Sequence, residues 1–413
     1  MSTPLSGACI FGQSGGPTSV INASAYGVFS AALENPNITT VYGAAHGIKG
    51  VLDDQLYVID QEDPAELALL PYTPSSAMGS VRYKLKDPEV DDTDYKRILE
   101  IFKKYNVRYF FYNGGNDSMD TCSKVSRYMK SVGYECNVIG VPKTIDNDLY
   151  GTDHCPGFGS AAKYIATTCM EVSLDAKVYD TGMICIIEIM GRNAGWLAGA
   201  AALASASGEG PDLIYLPEIP FDVEKFCDDA ERIYKEKGKV IIAASEGIHD
   251  KDGKFISEYA GEAAKDAFGH TQMGGLAQVL ESILKTRINC KSRAIELSLM
   301  QRCGAHCGSQ TDIDEAIAVG HAAVEAATSG ETGYMVAIKR VSNAPYKAET
   351  ELLPLEQCAN FEKKVPLEWI NSEGNGVTQE FVDYALPLIQ GETKMVKENS
   401  LPRFARLKKV LAK

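Results

Sequence analysis

No stretch of the chain is apolar for long enough to span a bilayer. The longest, residues 196–206, is about half of the ~20 residues that a spanning helix needs and is mostly alanine, so it reads as a tightly packed core helix. A basic excess is also missing. The 41 Lys and Arg stand against 55 Asp and Glu, a net charge of −14, which opposes attraction to nucleic acid or anionic lipid. A polyanionic ligand would have to be drawn in by a local positive site. Nor is there a disulfide framework: 11 cysteines are scattered over 413 residues, no secretory leader is visible, and residues 7–11 read as a short strand entering a glycine loop. Reduced thiols in a cytoplasmic protein are therefore expected. No internal repeat, low-complexity tract or long Pro/Gly linker breaks the chain, whose length predicts two or three compact units.

What is there is an alternation of short apolar runs with helical patterns, the signature of βαβ units and a mainly parallel sheet covered on both faces. Strands are predicted at 8–11, 40–44, 108–112, 138–141, 183–189, 213–216, 240–244 and 294–297, and helices at 19–33, 94–105, 118–132, 223–237 and 312–327. The fold class is α/β, built of three-layer αβα domains with mainly parallel sheets. A boundary is placed near 156–158. From residue 349 onward the pattern becomes irregular, and the last 20 residues carry seven basic side chains against one acidic. Such a tail either docks on nucleic acid or folds back on the acidic body, and the second is the commoner arrangement.

Four loops at strand ends carry candidate chemistry. The first strand runs into Gly12-Gln13-Ser14-Gly15-Gly16-Pro17-Thr18 and then a helix. Glycines let backbone N–H groups approach an anion, and a helix N-terminus adds about half a positive charge. Alone, the loop is equally a tight turn with no ligand, since it lacks the Lys-Ser/Thr ending of a P-loop. A second loop, Asn113-Gly114-Gly115-Asn116-Asp117-Ser118, also opens a helix after a strand, and Asn116 and Asp117 offer oxygen ligands suited to Mg²⁺ or, alternatively, a helix cap. A third, Pro142-Lys143-Thr144-Ile145-Asp146-Asn147-Asp148, packs a lysine and two carboxylates into one turn: Asp146 is placed to take a hydroxyl proton and Lys143 to offset charge on a transferring phosphoryl group. A fourth, Met190-Gly191-Arg192-Asn193, supplies a guanidinium for a bidentate grip on phosphate, or else a buried arginine paired with a carboxylate.

Together these segments resemble the phosphofructokinase family over residues 7–340, the run from Pro142 to Asp148 with Met190-Gly191-Arg192 downstream being the specific part. The resemblance implies a two-domain enzyme that clamps a phosphoryl donor and fructose 6-phosphate in the cleft between its domains. Residues 1–157 with about 302–350 would form the donor domain, and 158–301 with about 351–413 the sugar domain. It implies Asp146 as the general base, with Thr144, Ile145, Met190, Gly191 and Arg192 seating the sugar, Glu246 holding its hydroxyls, and Arg293 and Arg302 gripping the 6-phosphate, one of them from a neighbouring subunit. Gly15, Arg82 and Lys143 would contact the donor phosphates, and Asn116 with Asp117 would hold Mg²⁺. A homodimer or homotetramer without nucleic-acid or membrane partners is expected.

The donor is expected to be pyrophosphate. ATP-using members carry glycine where this chain has Asp117 and Lys143, as pyrophosphate-using members do. A carboxylate ~4 Å from a nucleotide's α-phosphate would cost ~4 kcal/mol at an effective dielectric of 20. Three departures accompany the match: Met183 and Leu299 replace an arginine and a histidine common in the family, and Asn116 replaces an aspartate. The competing expectations are an ATP-dependent kinase, a non-catalytic regulatory subunit that binds sugar phosphates, against which Asp146, Lys143 and Arg192 argue, and a zinc site at Cys303, His306 and Cys307, which has no second cysteine pair beside it.

Overall fold

The computed structural model describes residues 5–260, 275–359 and 361–413. Its principal strands are β1 (Gly7–Gln13), β2 (Ile38–Ala44), β3 (Leu56–Val58), β4 (Val107–Gly114), β5 (Asn137–Pro142), β6 (Met183–Ile189), β7 (Leu213–Tyr215), β8 (Lys239–Ser245), β9 (Lys291–Glu296), β10 (Tyr334–Asn343) and β11 (Tyr346–Pro354). All eight predicted strands are present. The chain divides into two compact units, one formed by residues 1–157, 302–362 and 391–413 and the other by 158–301 and 363–390.

The first unit is built on a seven-stranded sheet in the order β11-β10-β5-β4-β1-β2-β3. Its five central strands are parallel, and the two edge strands run antiparallel. β1 and β5 are buried along their whole length, which is why they read as unbroken runs of small and β-branched residues rather than as alternation. Helices Thr93–Lys104 and Asn116–Ser131 join the cluster on one face, around Tyr95, Phe102, Phe110 and Val125, while Phe11, Phe29, Val319 and Val336 belong to the cluster on the other. Helices Ile21–Glu34 and Gln310–Thr328 approach backbone to backbone. A Cβ on Gly27 would lie 2.3 Å from the Ile317 carbonyl oxygen, and one on Gly320 would lie 2.5 Å from that of Ser24, so only glycine fits at this crossing.

The second unit carries a four-stranded, all-parallel sheet in the order β7-β8-β6-β9. Helix Val223–Lys237 starts where predicted because Asp222 accepts hydrogen bonds from the Glu224 and Lys225 amides at 2.9 and 3.1 Å, and it stops at Gly238 in the left-handed region. The expected core helix at 196–206 is α-helical only over Trp196–Ala200 and tightens to 3₁₀ over Ala201–Ser207. Trp196 packs there among Trp369, Phe381 and Tyr384.

The C-terminal assignment needs correction. Residues 351–362 and 391–413 belong to the first unit, not the second. β11 is held there by its antiparallel pairing with β10, so the region from 349 is a strand before it becomes irregular. The basic tail lies along β3: the Val58 amide donates to Val410 O at 2.8 Å and the Ala412 amide to Leu56 O at 2.8 Å. Arg403 pairs with Glu66, and the Lys408 and Lys409 amides each reach a Glu62 oxygen at 2.7 Å. The tail thus folds back on acidic side chains. No helix among the described residues is long and apolar enough to cross a membrane.

Candidate active site

In the first unit, β1 is followed in the chain by β2 on one side of it, and β4 returns on the other. The carboxyl ends of β1 and β4 therefore flank a topological switch point, where open α/β sheets bind ligands. Both glycine loops leave from there. Gly15 has φ +76°, a left-handed conformation that keeps the first loop tight. The loop is held from the side by the segment carrying Arg82: Ser80 Oγ donates to Gly15 O at 2.6 Å, and the Gly15 amide donates to Val81 O at 3.2 Å.

Lys143 closes this cradle from β5. Its side chain is buried, its Nζ donates to Gly16 O at 2.6 Å, and its amide donates to Gly114 O at 3.0 Å, so one residue touches both glycine loops. Burial pulls its pKa down to about 8, with Asp146 and Asp148 opposing the fall and Arg302 and Arg82 adding to it. The Arg302 guanidinium lies beside Gly16, 3.2 Å from where a Cβ would stand. Its own pKa is lowered by burial and by Arg82, against the attraction of Asp146. Three cations thus converge on the first glycine loop, with Asp146 in their field. That is a local positive site on a chain of net charge −14.

Asp146 sits in a compact turn. Its amide donates to Thr144 Oγ1 at 3.1 Å, Thr144 and Ile145 are buried, and Asn147 takes φ +56° while its Oδ1 accepts the Cys155 amide at 2.9 Å. Asn116 opens the helix after β4. Its Nδ2 donates to Asp148 Oδ2 at 3.4 Å, and its Oδ1 is buried without a hydrogen-bond partner among the described residues. Asp117 is 44% exposed and faces Lys84 Nζ at 3.6 Å. No group of three or more His, Cys, Asp or Glu side chains that could hold a metal by itself occurs among the described residues. A Mg²⁺ carried largely by phosphates and water needs only one or two protein oxygens, and the orphaned Asn116 oxygen fits that demand.

The second unit has its own loop cluster, at the carboxyl ends of the adjacent strands β6 and β8. Glu246 Oε1 accepts the Gly191 amide at 3.4 Å, Ser245 Oγ donates to Gly191 O, and the Met190 amide donates to Gln301 Oε1 at 3.2 Å. Burial raises the Glu246 carboxyl pKa, an effect moderated by the Gly191 amide and Arg192. Arg192 lies over the Phe255 ring at 5.9 Å. Two more carboxylates stand here that the sequence did not single out, Glu188 buried and Glu218 half-buried. Glu188, on β6, accepts the Ala277 amide at 2.9 Å and leaves Oε1 buried without a partner among the described residues; burial raises its pKa to about 7. Glu218 accepts the Gly195 and Val365 amides at 2.8 and 3.0 Å. Both lie in ordinary-looking strand or turn sequence, and no local pattern announces them.

The structure therefore brings Gly15, Arg82, Lys143, Asp146 and Arg302 together, and separately Met190, Gly191, Arg192 and Glu246. It does not bring Arg293 to the second group. Arg293 is exposed on the edge strand β9, in register with Cys185, five residues before Met190 and hence about 16 Å short of the loop at ~3.3 Å per residue. Met183 begins β6 at the far end of the sheet, and Leu299 is exposed.

Residues 9–297 match the phosphofructokinase family. The chain belongs to that family. Among its relatives, the pyrophosphate–fructose 6-phosphate 1-phosphotransferase of Halomonas elongata is 45% identical over 97% of this chain and 96% of the relative, and the protein of the same name from Methylococcus capsulatus is 43% identical over 96% and 95%. A crystal structure of a pyrophosphate-dependent phosphofructokinase from Nitrosospira multiformis superposes with a TM-score of 0.90 at 40% identity and covers 98% of each chain. The two-domain α/β architecture of the family is therefore the architecture of this chain.

Proposed function

We propose that the protein transfers a phosphoryl group from pyrophosphate to the 1-hydroxyl of fructose 6-phosphate, giving fructose 1,6-bisphosphate and orthophosphate. The observation that carries this is Lys143, buried on the donor loop at 2.6 Å from Gly16 O, flanked by Arg82 and Arg302 and electrostatically coupled to Asp146. A phosphate cradle and a base are thereby in one place. The relatives of that name, similar over nearly the full length, support the same reading.

The sugar oxygen attacks the terminal phosphorus as its proton passes to the Asp146 carboxylate. The bridging P–O bond breaks, and the electron pair leaves with orthophosphate. Lys143 and Arg82 offset the charge that this displacement moves, joined by Arg302, which the resemblance gives to the 6-phosphate but which lies beside Gly16; because they are fixed before the reaction they need no reorganisation. Asn116 and Asp117 would hold Mg²⁺, which when bound screens the donor oxygens. Glu246 and the Met190–Arg192 turn receive the sugar, and Thr144 and Ile145 help to seat it. The residues about 1–157 and 302–362 thereby serve the donor, and those of the second unit the acceptor. Arg293 is assigned to the 6-phosphate of a neighbouring subunit in a homo-oligomer, since in its own chain it lies away from the turn. One anhydride bond is exchanged for one ester bond without a nucleotide, so the reaction runs in both directions. The working compartment is the cytoplasm.

A second reading, ATP as donor, is favoured by one feature: Asp117 is half-exposed and shares its charge with Lys84. The repulsion against a third phosphate then drops from ~4 kcal/mol toward ~1 kcal/mol as the effective dielectric approaches that of water. Purified enzyme assayed with each donor at equal concentration and Mg²⁺ decides the matter. Turnover with pyrophosphate at least tenfold faster than with ATP is expected, and faster turnover with ATP would reject the pyrophosphate assignment.

A further inference from the structure

We propose that His154 is a positioning residue: as an imidazolium clamped between Asp153 and Glu315, it locks the return leg of the loop against which the Asp146 turn is closed. This rests on the reaction proposed above, in which Asp146 is the base.

The loop leaves β5 at Lys143 and comes back at Gly157. Its two legs are tied together at the base, where the Thr144 amide donates to Pro156 O at 3.2 Å, and in the middle, where Asn147 Oδ1 accepts the Cys155 amide at 2.9 Å. The position of the Asp146 turn is therefore set by the return leg. That leg is anchored to β10: the Asp153 amide donates to Ile338 O at 2.8 Å, and the Ile338 amide donates to Thr152 Oγ1 at 2.9 Å. It is also anchored to helix Gln310–Thr328, since Asp312 Oδ1 accepts the Gly157 amide at 2.9 Å.

His154 sits between these anchors and is buried. Its Nδ1 lies 2.8 Å from Asp153 Oδ1, and its Nε2 lies 2.6 Å from Glu315 Oε2. Ionised carboxylates only accept, so both ring nitrogens donate and the ring is charged. The ring meets Asp153 on its own leg and Glu315 on the helix; Arg340 on β10 and Tyr346 on β11 bond to those two carboxylates in turn, and Asp312 lies one helical turn before Glu315. Arg340 Nη2 donates to Asp153 Oδ1 at 2.9 Å, and Tyr346 OH donates to Glu315 Oε1 at 2.5 Å. His154 meets both Asp153 and Glu315, and Arg340 donates to Asp153, so removing the imidazolium proton takes a charged donor away from one of the two carboxylates. Burial opposes the charged ring, but Glu315 and Asp153 outweigh it and bring the His154 pKa up to about 9. The clamp is whole below that pH and lost as pH rises through it.

His154→Gln and Glu315→Gln in the full-length enzyme test this. The expected result for His154→Gln is a kcat at least tenfold lower with the KM for pyrophosphate within threefold of the parent, because the Gly15 loop is held by Ser80 and Val81. Glu315→Gln preserves shape and serves if the first variant does not fold. Nitrogen-15 spectra of the histidine rings, with the His154 signal in the parent assigned through His154→Gln or by mixing in His154→Asn, should show both ring nitrogens protonated at pH 7.5. In Glu315→Gln the His154 titration should fall by at least one pH unit, carrying a step in kcat with it. Lys143, titrating near 8, should not move. A kcat profile that stays fixed while the His154 titration moves, or a His154→Gln enzyme within twofold of the parent kcat, overturns the proposal. Should ATP rather than pyrophosphate drive turnover, the donor assignment falls and the clamp is judged on the ATP rate.

Discussion

The two units solve one placement problem with opposite electrostatics. Each gathers its functional loops at the carboxyl ends of parallel strands. In the first, three cations crowd a glycine loop and burial drives a lysine down to about 8. In the second, burial drives carboxyls up, Glu188 to about 7 and Glu246 in the same direction. A polyanion needs positive charge that is already desolvated, whereas a sugar needs hydrogen-bond acceptors for its hydroxyls. The same strand-end geometry occurs twice, and in the proposed reaction the side chains match each copy to a different partner.

The largest effect that would break this comparison is at the junction of the two roles. Asp146→Ala should lower kcat by about 10²–10⁴, the usual contribution of a general base, while the KM for fructose 6-phosphate stays within a few-fold. A steady-state assay retaining near-parent kcat would remove the base assignment. Next comes the cationic cradle. Lys143→Met should cost about 10²–10³ in pyrophosphate turnover. In the parent enzyme activity should decline as pH rises through about 8, because the lysine loses its proton there, and Lys143→Arg should push that decline to higher pH; an unmoved profile would show that the charge of Lys143 is not used.

On the acidic side, Glu246→Gln removes a charged acceptor worth about 1.5–3 kcal/mol, so the KM for fructose 6-phosphate should rise about 10–100-fold with that for pyrophosphate unchanged. A rise in both would mean that the units do not divide the substrates between them. The smallest effect is expected at Asp117→Gly. With Lys84 already opposite the carboxylate, relative use of ATP should improve by less than about tenfold, as read from kcat/KM for the two donors.

Much of the frame was legible in the residues because the parallel strands are buried on both faces and end in glycine loops, so run and punctuation coincide. β10 and β11 escaped notice for the opposite reason. Lys339, Arg340, Ser342 and Asn343 continue β10 beyond its buried run, and their polar side chains erase the pattern. Helix Phe158–Lys177 was missed because its buried face is largely Ala, Gly, Ser and Cys, which carry little periodic signal. The Pro142–Asp148 turn could be read because its charged and polar side chains are compressed into seven consecutive residues. The clamp around His154 could not, since its members at 153, 154, 315, 340 and 346 meet only after the sheet has formed. Glu188 and Glu218 were illegible in the same way: what sets them apart is the distant backbone amides they accept, a property of the folded chain.

The tail that follows β3 has a consequence for handling the molecule. Leu56, Tyr57 and Val58 form the sheet's outermost rung, and the final residues occupy backbone groups that would otherwise be open to any passing extended peptide. Clipping the terminus would convert a closed border into an adhesive one, and a purification tag belongs at the other end of the polypeptide.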